Sequence, residues 1–399
     1  MTAGASATAR DNGDGLAPGD LAIDRELADI ALGYRFLLDL TPVHLVEVQR
    51  RFLDDGTPPE LHYRPLEDDV AVIADRLAKV DTHDVEDATL AHLVQSKQRE
   101  VELQLEMLRC RGSSDFLALS IELYGAVSPS LLATAEAMLD EIEVPQPPDR
   151  PQVVDARTFA QRAEAELDHY REVFPDLAIR VVVRDDGTGV MFANGDLLIA
   201  STTRVATSRV HALLQHEVGT HVVTYVNGSC QPLRLLAAGL AGYDETQEGL
   251  AVLAEHLAGG LTAGRLRQVA ARVVAVHRMI EGSSFADVHH ALVDAGVQPD
   301  AAFSIAIRVF RAGGLTKDAV YLRGLLDIVD HLRNDGDLDA LWLGKMALAD
   351  APLVDELRAR AVLHEPKLRP RYLDDPAVQD RLHQTRAIRS LTDLTGAPA

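Results

Sequence analysis

One short block constrains the fold of this chain more than any other. Between residues 178 and 200 its character changes from helical to β-type. Ile179-Arg180-Val181-Val182-Val183-Arg184 is short and β-branched, and Val190-Met191-Phe192-Ala193 and Leu197-Leu198-Ile199-Ala200 flank Asn194-Gly195. Asn-Gly between two apolar runs is the strongest short hairpin signal, because a type I′ turn needs positive φ at both central residues. Nearly everything else repeats apolar residues at helical spacing. The fold class that follows is α+β and mostly helical, with a small antiparallel sheet at about 178–200 packed by helices and preceded by an N-terminal helical region.

The helical pattern starts at Leu21, with Ile23, Leu27, Ile30, Ala31, Tyr34 and Leu37 three and four residues apart. Further helices are expected at about 67–79, 85–111, 115–124 and 129–142. Val144-Pro145-Gln146-Pro147-Pro148-Asp149-Arg150-Pro151 then reads as an extended connector. Beyond it, helices are expected at 155–173, 206–227, 232–240, 246–258, 262–280, 284–295, 299–312, 317–333, 336–349 and 352–361. The organisation expected is a disordered tail (1–19), an N-terminal helical region (20–144), a Pro-rich linker (145–151), a core (152–373) and a C-terminal extension (374–399).

Charge excludes several function classes. With 39 Lys+Arg against 61 Asp+Glu the formal net charge is −22, which argues against nucleic acid or an anionic membrane as partner. Two cysteines, Cys110 and Cys230, are too few for a disulfide framework and point to a reducing, cytoplasmic setting. No apolar run approaches the ~18 residues of a membrane span, and the first residues lack a signal-peptide pattern. Oligomeric state is not readable.

The chemistry sits directly after the hairpin, in His216-Glu217-Val218-Gly219-Thr220-His221 on an otherwise apolar helix. Two imidazoles within two turns form a natural zinc pair, and a carboxylate beside the first can serve as general base. The familiar spacing is i, i+4; here it is i, i+5. At 100° per residue, i+5 lands about 140° away, so a regular α-helix would keep the rings apart. A π-bulge would bring them together, and Gly219 is the residue expected where the backbone leaves ideal geometry. For a third ligand, Glu245, Glu248 and Glu255 compete on chemistry alone, in a helix that Asp244 could cap with Gln247 closing a capping box.

His216-Glu217-Val218-Gly219-Thr220-His221 together with Gln247-Glu248-Gly249-Leu250-Ala251 closely resembles the QEGLA-motif (flavohaemoglobin expression-modulating) family, related to the microtubule-associated tyrosine carboxypeptidases. Arg308-Val309-Phe310-Arg311-Ala312-Gly313-Gly314 and Thr316-Lys317-Asp318-Ala319-Val320-Tyr321-Leu322 look like further family blocks, with Ala312 where a glycine is expected. The resemblance runs from about 20 to about 373. It implies a zincin-like metallopeptidase core holding one Zn²⁺ through His216, His221 and Glu248. Glu217 would assist attack by zinc-bound water, in a carboxypeptidase releasing a C-terminal, tyrosine-like residue from a peptide or protein. Tubulin, cleaved by the animal enzymes, is not carried over as substrate.

A C-terminal exopeptidase needs a fixed positive group past the metal. Residues 301–323 hold Arg308, Arg311, Lys317 and Arg323 against one acid, Asp318. Lys317 is the first candidate for the substrate carboxylate, Arg308 and Arg311 are alternatives, and Tyr321 could donate to the oxyanion. Asn194, in the hairpin, is counted with the substrate-binding candidates. The competing reading is a non-catalytic regulatory protein with a structural metal site, acting indirectly on gene expression. A structural site would not need Glu217. Cys230, His256, His289, His290 and Trp342 are read as packing or solvated residues.

Overall fold

The computed structural model describes residues 15–66, 69–144, 152–185, 189–193 and 195–395 of the 399. Most of the expected tail, the linker 145–151, Asn194 and residues 396–399 therefore lie outside the described residues. The fold is α+β and mostly helical, with small sheets.

The N-terminal helices include Pro18–Leu32, Ala88–Arg109, Phe116–Tyr124 and Pro129–Glu141. They are tied to the later helices by buried polar contacts as well as by a continuous apolar core. Asp24, 0 % exposed, accepts from the backbone N–H of Arg234 (2.6 Å) and Leu235 (3.2 Å). Glu100 accepts from the N–H of Gly242 at 2.7 Å and from Lys97 at 2.5 Å. These contacts fix the start of the helix Tyr243–Leu257 from the N-terminal side.

Seven strands occur among the described residues: β1 (Pro42–Val43), β2 (His62–Tyr63), β3 (Val153–Asp155), β4 (Arg180–Arg184), β5 (Val190–Ala193), β6 (Asp196–Ala200) and β7 (Arg204–Ala206). β5 and β6 form the expected antiparallel hairpin, with Gly195 at φ 85° in the turn. The expectation of an antiparallel sheet is corrected at β4, which pairs in parallel with β6 and gives the order β4-β6-β5. Hairpin pairing is local and legible from its turn; β4 docks across a longer connection, where alternation of side chains does not encode strand direction. Leu197 and Ile199 of β6 are fully buried, while Leu198 turns to the opposite face. Among the described residues β5 is the edge strand of this sheet. β3 and β7 form a separate antiparallel pair that leads into the next helix.

Two helix expectations fail. Residues 336–349 form only single turns, Ala340–Trp342 and Leu348–Asp350. The preceding helix ends at Arg333, and Asp335 takes a left-handed φ of 61°. Residues 232–240 supply only Leu235–Ala238, ended by Gly239 at φ 102°. In both, Leu spacing that looks helical serves irregular chain packed into the core. No single helix among the described residues is long and apolar enough to cross a membrane.

Candidate metal centre and its cavity

A continuous helical rod covers 210–229, but it is not regular. It is α-helical at Val210–His216, π-helical at Glu217–Val222 and α-helical again at Val223–Ser229. The Val223 N–H reaches the Val218 carbonyl, five residues back, and the Thr220 hydroxyl donates to the Gln215 carbonyl at 3.1 Å. This widened turn brings both histidines to one side, their ring centroids 5.2 Å apart. Gly219 sits inside it, where a Cβ would stand 2.6 Å from Gln215 Oε1 and 3.1 Å from the Tyr372 ring. Glycine avoids displacing the Gln215 amide and crowding the Tyr372 ring.

The third group comes from the helix Tyr243–Leu257. The expected capping box is not formed: the residue before the first turn is Gly242, at φ 69°. Asp244 instead faces Lys317, and the Gln247 amide oxygen accepts from the Thr224 hydroxyl at 2.8 Å. Gly249 crosses Gly324 of the helix Val320–Arg333 so closely that a Cβ on Gly249 would lie 2.3 Å from the Gly324 carbonyl. That glycine-on-glycine crossing sets Glu248 beside Lys317 and Tyr321.

His216, His221 and Glu248 each present one donor atom within 4.8 Å of the others. Glu248 Oε2 lies 3.7 Å from His216 Nε2 and 3.9 Å from His221 Nε2, and it is buried with no hydrogen-bond partner. Leaving a carboxylate oxygen so placed costs on the order of 1–3 kcal/mol unless a cation meets it. Two imidazoles and a carboxylate are a zinc-type donor set. The residues present fit a divalent cation.

Each donor is held from behind. Glu248 Oε1 accepts from Lys317 Nζ at 3.3 Å, and Lys317 also pairs with Asp244 at 2.9 Å. His221 Nδ1 lies 3.4 Å from Gln247 Oε1. His216 Nδ1 lies 2.9 Å from Glu255 Oε1. Glu255 is completely buried and ringed by Arg265 (3.1 Å) and Arg209 (2.8 Å). Of the three competing glutamates, Glu248 thus faces the histidines, Glu255 backs one of them, and Glu245 pairs with Arg323. Glu255 was legible only as an alternative ligand; its position about two turns beyond Glu248 on the same helix face was the available signal.

Electrostatics follow burial and these partners. Burial opposes ionisation of Glu248, yet Lys317 and the two imidazoles outweigh it and hold the carboxyl at about 2. Burial pushes His221 down to about 4, favouring the neutral ring a metal needs. It would also lower His216, but the Glu255 hydrogen bond and the surrounding carboxylates raise that ring instead. Glu217, 5 % exposed and without an ion-pair or hydrogen-bond partner among the described residues, is lifted by burial to about 7.

The site opens into a cavity of about 420 Å³. Its walls come from the N-terminal helices (Tyr34, Phe36, Tyr124), from edge strand β5, from the two metal-site helices and from the basic block. Tyr321 lines it, its ring 4.4 Å from the Arg272 guanidinium. Arg308 also lines it, but is locked bidentately to buried Asp318 at 2.6 and 2.7 Å. Arg311, 7 % exposed, gives one long bond to the Thr41 hydroxyl (3.4 Å) and leaves Nε unpartnered. Lys345, which sequence reasoning missed, points its ammonium over Phe192 (5.4 Å), Tyr225 (5.4 Å) and Tyr243 (5.6 Å). It stands in an irregular segment, and nothing in its neighbourhood marks it.

The chain is similar to known carboxypeptidases. The human microtubule-associated tyrosine carboxypeptidase 1 is 31 % identical over 183 residues, covering 42 % of this chain and 36 % of the human one. The mouse protein of the same name is 31 % identical over 181 residues, with the same coverage. The alignments thus span little more than a third of those relatives' length. A crystal structure from Colwellia psychrerythraea aligns at 14 % identity over 80 % of this chain and 66 % of that one, with a TM-score of 0.41, too loose to carry an argument. The family model for microtubule-associated tyrosine carboxypeptidases matches residues 50–390, and the chain belongs to that family.

Proposed function

We propose that the chain is a zinc-dependent carboxypeptidase with a zincin-like core. The observation that carries this reading is the convergence of His216, His221 and the orphaned Glu248 Oε2 beside an unpaired, buried Glu217. A bound Zn²⁺ would supply Lewis-acid polarisation of the scissile carbonyl and acidify water at the site. Glu217 is placed to accept a proton from the attacking water and to deliver it to the departing amine; a carboxyl tuned towards neutrality suits both roles. Glu255 orients His216 through Nδ1, and Lys317 keeps Glu248 ionised and pointed at the histidines. Tyr321 is the candidate oxyanion donor.

The substrate is the C-terminus of a peptide or protein. Edge strand β5 offers free backbone groups to an extended chain. Arg311 and Lys345, basic cavity residues with no described acid partner, are the first candidates for the terminal carboxylate. Lys317 and Arg308, already held by acids, support them from behind. Phe192, Tyr225 and Tyr243 give the cavity an aromatic wall suited to a tyrosine-like terminal residue. The structural-site reading is less favoured because a structural zinc is closed by its ligands, whereas this one borders a cavity and a spare carboxylate.

The test is metal analysis combined with mass-spectrometric scoring of C-terminal peptides. The expected result is about one zinc per chain, release of the terminal residue, loss of activity with a chelator and its return with zinc. Zinc bound without hydrolysis of any member of a C-terminal peptide library would overturn the enzyme reading.

A further inference from the structure

Arg209 and Arg265 stand between the support of the metal site and a second cavity. On one side their guanidinium groups grip Glu255, the residue behind His216. On the other they line a second cavity of about 360 Å³, together with Arg267, Thr262, Gln268 and Gln298. No acid is among the described residues that line it. In a chain with 61 acids against 39 bases, an acid-free cavity with three arginines is a pronounced reversal of sign.

The local charge is incompletely answered. Arg209 and Arg265 share one carboxylate, Glu255, with Arg265 also donating to Gln268 Oε1 at 2.8 Å, while the nearest acid to Arg267 is Asp140. Arg209 gives Nη2 to Glu255 at 2.8 Å, but its Nη1 is buried with no acceptor, and the side chain remains 20 % exposed. Arg267 spends its donors on the carbonyls of Leu139, Ile142 and Ala295, so it contributes fixed charge. Two helices begin at this cavity: the dipole of Ala263–Ile280, with no acid in its first turn, adds positive potential, whereas that of Pro299–Phe310 is offset by Asp300 in its own first turn.

We propose that this second cavity binds a small inorganic oxyanion, of the sulfate or phosphate class, and that its occupancy tightens the metal site through Glu255. An anion beside Arg209 and Arg265 competes with Glu255 for their donors. A carboxylate relieved of guanidinium bonds is more basic and accepts the His216 Nδ1–H more strongly. The imidazole becomes a better donor at Nε2, and the added negative charge favours a cation. Both effects have the same sign.

The second half of the proposal rests on the zinc reading; the first does not. The experiment titrates sulfate into the full chain, metal-free, by calorimetry at constant ionic strength. Ala301, half-exposed in the cavity wall, is replaced to test location. Ala301→Glu places a carboxylate there and should weaken sulfate at least about tenfold, while Ala301→Gln, of the same size, should retain it. Zinc affinity is then measured by competition with a chromophoric chelator; saturating sulfate should tighten it about threefold or more in the native chain and not in Ala301→Glu. Absence of sulfate binding at tens of millimolar, or equal binding by both variants, overturns the site. Binding that leaves zinc affinity unchanged overturns the coupling. If sulfate binding follows residue 301 in a chain that takes up no zinc, the carboxypeptidase reading fails and the anion site stands.

Discussion

The two sides of the metal site are built on opposite rules. Behind the ligands the acids are answered: Asp244 and Glu248 by Lys317, Glu255 by His216, Arg209 and Arg265, Asp318 by Arg308, with spare guanidinium donors left on Arg209 and Arg272. In front, facing the cavity, charges are left open: Glu217 without a partner, Arg311 with a bare Nε, Lys345 over aromatic rings, Glu248 with a bare Oε2. Saturated groups are rigid and position others; unsaturated buried groups raise the energy of the folded chain and are retained where something else completes them. The difference separates residues that hold from residues that act.

The largest expected effect breaks the front alone. Glu217→Gln is isosteric, removes the proton acceptor and should lower kcat by about 10²–10⁴-fold. Metal content, read by elemental analysis, should be unchanged because Glu217 is not one of the three converging donors. Metal lost along with activity would place Glu217 among the supporting groups instead. Next come two cations from opposite sides. Lys317→Ala strips one counter-charge from two half-buried carboxylates, Asp244 and Glu248, and should weaken metal binding about 10–100-fold. It should slow amidated and free-acid peptides alike. Arg311→Ala should raise KM for free-acid peptides about tenfold or more and leave amidated ones unchanged. Equal effects of Arg311→Ala on both peptides would remove Arg311 from the carboxylate subsite. Glu255→Gln follows: it keeps shape and one hydrogen bond, loses the charge on His216, and should weaken zinc about tenfold in a chelator competition while kcat of the zinc-saturated protein falls less.

Much of the front was legible in the sequence because spacing is local. The i, i+5 separation of His216 and His221 demanded a widened turn, and the helix has one between Glu217 and Val222. Asn-Gly gave the β5–β6 hairpin. The hidden parts depend on contacts between distant segments. Glu245, Glu248 and Glu255 share one helix and one chemistry; only the packing of that helix against residues 210–229 and against Gly324 decides which meets the histidines. The basic block 308–323 was visible as charge, but pairing of Arg308 with Asp318 depends on the turn between their elements, and pairing of Lys317 with Asp244 on the docking of two distant segments. Lys345 was invisible: it lies where a helix was expected, and its meaning comes wholly from the three rings folded over it.

The smallest predicted effect tests whether Lys345 belongs to the front. Burial pushes its ammonium down to about 8, with Lys97 adding to the shift and Asp244 opposing it. A group lowered in this way is charged below about pH 8 and neutral above. If it meets a substrate carboxylate, kcat/KM for free-acid peptides declines as pH rises through that value, since kcat/KM reports the free enzyme. A contact on a hydrated cavity wall is worth about 1 kcal/mol, so the decline should be roughly fivefold. Lys345→Arg keeps the charge at all accessible pH and should abolish the alkaline decline; Lys345→Met should show the high-pH rate throughout. Amidated peptides should lack the limb in every variant. A limb of equal size for amidated peptides, or one that survives Lys345→Arg, would assign the titration to another group and return Lys345 to the packing of the aromatic wall.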